Sequence, residues 1–252
     1  MKNVIFMTNI RDESKLDRSE PYKYSVKSWK YWCEKNNVEF FMLDEYIFDT
    51  NYMIPNWYKI YVFDLLDNND IDYNQIAIVD ADTIVHPDCP NFFEMSDNKF
   101  CAVHNDGSYD WVCRSMENYS KHLFNGFTFP IWEYINSGFI ILNKKHKKLY
   151  KDIINFYTEN RESIVSVQKN FGVGTDQPII NFFLQKQNVD LKLLSYKFNM
   201  QDMALKEILT EDLLFTKLGW IYHYNAIPDN HDSSLTLYWM KKTYEELYDN
   251  IS

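Results

Sequence analysis

The hydrophobic positions along this chain change period as they go, and the changes outline alternating strands and helices. Val4 to Thr8 is a short, continuous apolar run that predicts a buried strand. The polar stretch Asn9 to Ser19, carrying Arg11, Asp12 and Glu13, predicts a loop. From Tyr22 to Asn36 the residues Val26, Trp29 and Cys33 recur at helical spacing, and the pair Asn36-Asn37 closes the helix. Val38 to Leu43 reads as a second strand. Pro55 opens a helix through Leu66, with Trp57, Ile60, Tyr61 and Leu65 on its apolar side. The run Gln75-Ile76-Ala77-Ile78-Val79 does not alternate, as expected of a central strand covered on both faces, and it leads directly into Asp80-Ala81-Asp82.

The middle of the chain, Cys101 to Trp132, is rich in aromatic and polar residues without a clear period, and predicts loops and irregular elements beside a cleft. Tyr134 to Asn143 holds a second strong strand, Phe139-Ile140-Ile141-Leu142. Lys144 to Arg161 is an amphipathic helix with Leu149, Ile153 and Phe156 inward. Gly172 and Gly174 mark a turn, and Asp176 to Gln187 is a helix whose apolar face is Ile179, Ile180, Phe183 and Leu184. Leu237, Met240, Tyr244 and Leu247 give a final amphipathic helix. Strands alternating with helices predict an α/β fold with a parallel sheet. With no repeat, linker or low-complexity tract, residues 1–252 are expected to form one domain.

Composition narrows the function more than the fold. The formal net charge of -10 argues against nucleic-acid binding, which needs clustered Lys and Arg. It also means that an anionic small substrate needs local help, such as a metal ion. Aromatic residues make up 17% of the chain, and aromatic faces suit a cleft for sugar or nucleobase rings. Cys33, Cys89, Cys101 and Cys113 form no C-x-x-C pair and read as free thiols. No apolar run approaches the ~20 residues of a membrane helix, and no targeting signal is apparent. The expectation is a cytoplasmic protein without a membrane span.

The sharpest chemical feature is Asp80-Ala81-Asp82. Residues i and i+2 of an extended chain point to one face about 7 Å apart, so both carboxylates can address one cation. They follow a buried strand, and ligands of open α/β sheets gather at the carboxyl ends of strands. Two hard oxygen donors suit Mn²⁺ or Mg²⁺, which in turn can hold a diphosphate, although D-x-D is also frequent in ordinary polar loops. Asn136-Ser137-Gly138 stands at a strand entrance, where the amide can meet a substrate hydroxyl and Gly138 permits close backbone approach. In Gly174-Thr175-Asp176-Gln177, Thr175 or Asp176 can cap the following helix, whereas Gln177 has no such ready structural role. His223, within Trp220-Ile221-Tyr222-His223, offers a neutral imidazole as a third ligand beside carboxylates.

The order of these motifs resembles a known family. A strand-terminal D-A-D, then N-S-G-F-I-I-L-N, then G-T-D-Q-P-I-I-N, then a strand-borne His is similar to the nucleotide-sugar glycosyltransferases of the GT-A fold. The nearest likeness is to glycosyltransferase family eight and the galactosyl/mannosyltransferase group of family thirty-four, which the stretch Pro55 to Lys59 also resembles. The resemblance runs from about Val4 to Asn225. It implies a Rossmann-like, mixed, mostly parallel sheet flanked by helices, with nucleotide binding in about residues 1–100 and acceptor and catalytic functions in about 101–252.

It further implies that Asp80, Asp82 and His223 hold Mn²⁺ or Mg²⁺, and that Asp80, Ala81, Asn136, Ser137 and Gly138 meet the donor, a UDP-sugar by preference. Asp176 and Gln177 would lie beside the anomeric carbon, Thr8 and Asn9 where the first strand meets the nucleotide, and Lys59 near the donor phosphate or sugar. The acceptor would be a glycan or another hydroxyl compound, and the anomeric configuration would be retained. Family eight continues its late His as His-x-x-Gly-x-x-Lys, where the Lys grips the pyrophosphate. Here the matching positions are Ala226 and Asp229, so the grip falls to Lys59, Arg11 or the metal. The segment His104 to Trp132 is the candidate acceptor and lid region, with Trp111, Tyr119, Phe127 and Trp132 as possible stacking faces.

Two other classes compete. A sugar-1-phosphate nucleotidyltransferase calls for a Gly-rich loop after the first strand, and Asn9 to Ser19 contains no Gly. A noncatalytic carbohydrate- or nucleotide-binding module accounts for the aromatic residues but not for a metal site aimed at a diphosphate. A nicotinamide dehydrogenase is excluded, since no G-x-G-x-x-G follows any strand.

Overall fold

A computed structural model describes residues 1–10, 22–203, 210, 212–225, 227, 234–249 and 251. Arg11 and most of the predicted first loop, together with Ala226 and Asp229, lie outside the described residues.

The chain opens with strand β1 (Lys2–Thr8), helix α1 (Tyr22–Lys35) and strand β2 (Glu39–Leu43). A 3₁₀ segment (Pro55–Tyr61) runs into helix α2 (Val62–Asn68), and strands β3 (Tyr73–Asp80), β4 (Thr83–Val85) and β5 (Phe100–His104) follow. Next come helix α3 (Tyr109–Leu123), strand β6 (Ile135–Asn143), helices α4 (Lys147–Phe171) and α5 (Asp176–Lys186), and strands β7 (Leu191–Leu194) and β8 (Ile221–His223). Helix α6 (Ser234–Tyr248) is last.

Among the described residues, six strands form the central sheet in the order β2-β1-β3-β6-β5-β7, and β4 pairs with β8 in a separate two-stranded sheet. In the central sheet β6 alone runs antiparallel to its neighbours; every other adjacent pair is parallel. The architecture is therefore the α/β, mixed and mostly parallel sheet flanked by helices that the motif order implies.

The unalternating strands are apolar because both faces are covered. On β1 and β3, Val4, Phe6, Ile76 and Ile78 enter one cluster with Trp57, Tyr58 and Ile153. Their neighbours Ile5, Met7, Ala77 and Val79 enter a second cluster with Trp29 and Trp32 of α1. A third cluster surrounds the small sheet, through Ile84, Met200, Tyr222 and Met240. The four cysteines are free, and among the described residues no helix is long and apolar enough to cross a membrane.

The middle segment departs from expectation. Phe100–His104 is a buried strand and Tyr109–Leu123 a helix, not loop. The buried face of α3 consists of Val112, Ser115, Tyr119 and Ser120, so three of its four positions are polar or amphipathic and leave little hydrophobic period. The helix from Lys147 also runs to Phe171, beyond the predicted Arg161, and stops where Gly172 adopts φ 58°, a left-handed conformation suited to a residue without Cβ.

Candidate functional site

Chain direction brings the motifs to one place. β1 connects to β2 on one side, whereas the chain after β2 enters β3 on the other, so the carboxyl ends of β1 and β3 flank a crevice. Thr8 stands opposite Asp80 across that pair. β6 comes back antiparallel with Val79 facing Phe139, which carries Asn136, Ser137 and Gly138 to the same edge.

The turn after β3 is pinned from beneath. The Thr83 hydroxyl donates to the Asp80 carbonyl at 2.7 Å and accepts from the indole N–H of Trp29 at 2.9 Å. β4 then pairs Thr83 with His223 of β8, and the Tyr224 N–H donates to the Asp82 carbonyl at 2.8 Å. Residues distant in sequence thus become neighbours: His223 Nε2 lies 3.2 Å from Asp82 Oδ1 and 3.9 Å from Asp80 Oδ2. One donor atom from each of Asp80, Asp82 and His223 lies within 4.8 Å of the others.

Donor chemistry and exposure fit a divalent cation. Two carboxylates that are 30% and 27% exposed face a cleft, beside an imidazole nitrogen on a ring that is 4% exposed. Oxygen donors with one imidazole suit Mn²⁺ and related ions. Burial pushes the Asp80 carboxyl above the usual carboxylate range despite Lys59. At Asp82 burial acts in the same direction, but His223 outweighs it and holds that carboxyl low. Burial lowers the His223 pKa, and Asp82 more than reverses this, so the imidazole is held above its ordinary range.

Lys59 lies beneath these groups. Its 3₁₀ segment buries it to 6% exposure, and its Nζ is 2.6 Å from Asp80 Oδ1, 3.4 Å from Asp176 Oδ2 and 3.3 Å from the Ser137 carbonyl. The ammonium therefore joins the D-A-D side of the cleft to the α5 side.

Asp176 does not cap α5. Its Oδ1 accepts from the Thr175 hydroxyl at 2.9 Å and its Oδ2 from the Ser137 hydroxyl at 3.0 Å. Gln177 Oε1 accepts the Ser137 N–H at 2.9 Å, and its Nε2 donates to Asn105 Oδ1 at 3.1 Å. Asn181 clamps the helix to β6 by accepting the Ile135 N–H at 2.7 Å and donating to the Ile135 carbonyl at 2.9 Å. The first turn of α5 is thus fixed against the start of β6.

Gly138 has a distinct steric role. A Cβ there would lie 2.3 Å from His223 Cε1 and 2.8 Å from Nδ1, so the imidazole packs directly on the β6 backbone. Gly138→Ala is expected to destabilise the protein by about 1–3 kcal/mol, as overpacking does, and to weaken Mn²⁺ binding by displacing His223. Urea unfolding and Mn²⁺ titration check both effects.

A cleft of about 550 Å³ joins these groups, lined by Asp80, Asp82 and His223 together with Trp111, Thr175, Asp176 and Gln177. Trp111 packs so closely on the turn before α5 that a Cβ on Gly174 would come within 2.7 Å of its ring. Of the other aromatic residues considered for this region, Tyr119 is buried and donates its hydroxyl to the Gly174 carbonyl at 2.7 Å. Phe127 packs on the core, and Trp132 is 67% exposed. Ala81 packs beside the second core cluster. Among the described residues, Thr8 Oγ1 and Asn9 Oδ1 are buried without a hydrogen-bond partner.

Asn105, Asn199 and Gln201 were not legible as site residues. Each is buried and linked to Asn136 or Gln177, yet none falls in a motif.

Several solved structures share this fold. The chain is similar to a glycosyltransferase involved in the glycosylation of the major capsid of PBCV-1, with a TM-score of 0.64 and 10% identity over 96% of this chain and 99% of that one. It is also similar to the apo-form glycosyltransferase GlyE of Streptococcus pneumoniae TIGR4, with a TM-score of 0.51 and 12% identity over 98% of this chain, and it spans 62% of GlyE. Mouse xyloside xylosyltransferase 1 matches with a TM-score of 0.51 and 11% identity over 90% of this chain and 100% of that one. No protein-family model and no curated protein matches the sequence. At these identities the likeness establishes the fold, a GT-A-like one.

Proposed function

We propose that this chain, residues 1–252 acting as one unit, is a metal-dependent glycosyltransferase related to families eight and thirty-four. It moves a sugar from a nucleoside-diphosphate donor, UDP-sugar by preference, to a glycan or other hydroxyl acceptor with retention of configuration. One observation carries the reading: the Asp80, Asp82 and His223 donor set lines the same cleft as Asp176 and Gln177. A binding module for sugars alone does not account for a metal site aimed at a diphosphate.

Asp80, Asp82 and His223 would hold Mn²⁺ or Mg²⁺, which supplies Lewis-acid stabilisation to the departing diphosphate. Lys59 offsets the charge of Asp80 and Asp176 and bridges them. The oxygens of Thr8 and Asn9, without a hydrogen-bond partner among the described residues, stand at the nucleotide end of the crevice, beside Asp80. Asn136, Ser137 and Gly138 form the floor under the donor sugar, and Trp111 offers a face to the acceptor.

Retention proceeds by a covalent glycosyl-enzyme or by attack on the leaving-group face. The second route fits Asp176, since Ser137 and Thr175 hydroxyls and the Lys59 ammonium already engage its two oxygens. A carboxylate so restrained acts as fixed negative charge beside a cationic sugar better than as a nucleophile. Gln177 is a poor nucleophile and positions Ser137.

The test is release of UDP from a panel of UDP-sugars in Mn²⁺, with and without sugar acceptors. Asp176→Asn is expected to retain turnover to within about 10²–10³-fold, the scale of lost electrostatic stabilisation. Turnover at background in this variant, with a glycosylated wild-type protein seen by intact mass, contradicts the front-face route. No UDP release from any donor contradicts the function.

A further inference from the structure

The buried amides behind the cleft determine which nitrogen of His223 carries its proton. The Gly138 N–H lies 2.8 Å from one terminal atom of the Asn136 side chain. A peptide N–H only donates, so that atom is the amide oxygen. The same oxygen lies 2.9 Å from a terminal atom of Asn199, which must then be the amino group. Asn199 therefore turns its own oxygen to His223 Nδ1, 3.1 Å away, and Nδ1 is the protonated nitrogen.

The other end of the network gives the same answer independently. Gln201 Nε2 reaches the His104 carbonyl at 2.8 Å, and a carbonyl only accepts. Gln201 thus presents Oε1 to Asn136 at 2.9 Å, which requires the Asn136 amino group on that side. Asn199, Asn136 and Gln201 are 0%, 4% and 1% exposed, so reversing any amide would leave buried groups unpaired. The backbone holds Asn199 in register, because the Met200 N–H donates to the Ile221 carbonyl and the His223 N–H to the Met200 carbonyl, both at 2.8 Å.

We propose that Asn199 is a positioning residue that holds His223 in the Nδ1–H tautomer and so presents Nε2 as a free lone pair toward Asp82 and Asp80. In this form the neutral ring aims a lone pair at two carboxylates, an arrangement that a metal ion satisfies, or at lower pH a proton on Nε2. The consequence for metal binding rests on the function proposed above; the tautomer itself does not.

Long-range ¹H–¹⁵N spectra of the wild-type protein in alkaline EDTA buffer test the tautomer, with His223 identified by its loss in His223→Gln. The expected result is a protonated Nδ1 and a pyridine-like Nε2. Asn199→Leu is expected to lose that pattern and to weaken the binding of Mn²⁺ alone, followed by electron paramagnetic resonance, by about 10–100-fold. A protonated Nε2 in the neutral wild-type ring overturns the proposal, as does a folded Asn199→Leu that binds Mn²⁺ like wild type. If Asn199→Leu fails to fold, the wild-type spectrum decides alone. A wild type that shows the Nδ1–H pattern but binds no Mn²⁺ supports the tautomer and contradicts the metal site.

Discussion

Replacing Lys59 with Met is expected to destabilise the protein by about 3–5 kcal/mol, the scale seen when one partner of a buried ion pair is removed. Lys59 is 6% exposed, and its Nζ stands 2.6 Å from Asp80 Oδ1 and 3.4 Å from Asp176 Oδ2. Met fills a similar volume, so the loss is one of charge: two carboxylates remain close together without their counter-ion. Burial by itself lowers the Lys59 pKa, but Asp176 and Asp80 outweigh it and drive the value above the ordinary 10.5. A group raised in this way contributes in full below its unfolded pKa and loses the contribution only as pH rises through the folded value. At neutral pH the whole contribution is present. A urea midpoint for Lys59→Met measured at neutral pH gives the number, and Lys59→Met combined with Asp80→Asn is expected to recover part of it. An unchanged midpoint contradicts the role given to Lys59.

The second large effect belongs to Asp82. Asp82→Ala is expected to abolish Mn²⁺ binding and to lower turnover about 10³-fold, near 4 kcal/mol of barrier at about 1.36 kcal/mol per tenfold. The variant is expected to keep its fold. What ties the turn together is backbone, since the Tyr224 N–H reaches the Asp82 carbonyl and the Thr83 hydroxyl reaches the Asp80 carbonyl. The Asp82 side chain itself is 27% exposed and faces the cleft. Steady-state kinetics beside circular dichroism separate lost chemistry from lost structure. Turnover within tenfold of wild type at saturating metal contradicts the assignment.

Strands buried on both faces were legible because each of their side chains is apolar, as in Ile76 to Val79 and Phe139 to Leu142. Helix α3 was not, because Ser115 and Ser120 occupy buried positions where a hydrophobic period would need larger apolar residues. The D-A-D pair was readable as a potential cation site from spacing and position. Its union with His223 was not, since it depends on the pairing of β4 with β8, which no local pattern reveals. Only the order of motifs, read as a resemblance, joined them. At Asp176 local chemistry pointed to a helix cap, whereas Ser137 and Lys59 draw the side chain into the cleft. The buried amides Asn105, Asn199 and Gln201 were hidden for a simpler reason: in sequence, an Asn bonded to two site side chains looks the same as an Asn in a loop.

The central claim is that Asp80, Asp82 and His223 form a metal-assisted site for a nucleoside diphosphate. Calorimetric titration of wild-type protein with UDP and with GDP, in Mn²⁺ and again in EDTA, tests it most directly. The account predicts UDP binding in Mn²⁺, weaker GDP binding, and loss of both in EDTA. Absence of nucleotide binding under every condition would contradict it and leave a noncatalytic carbohydrate-binding module as the alternative.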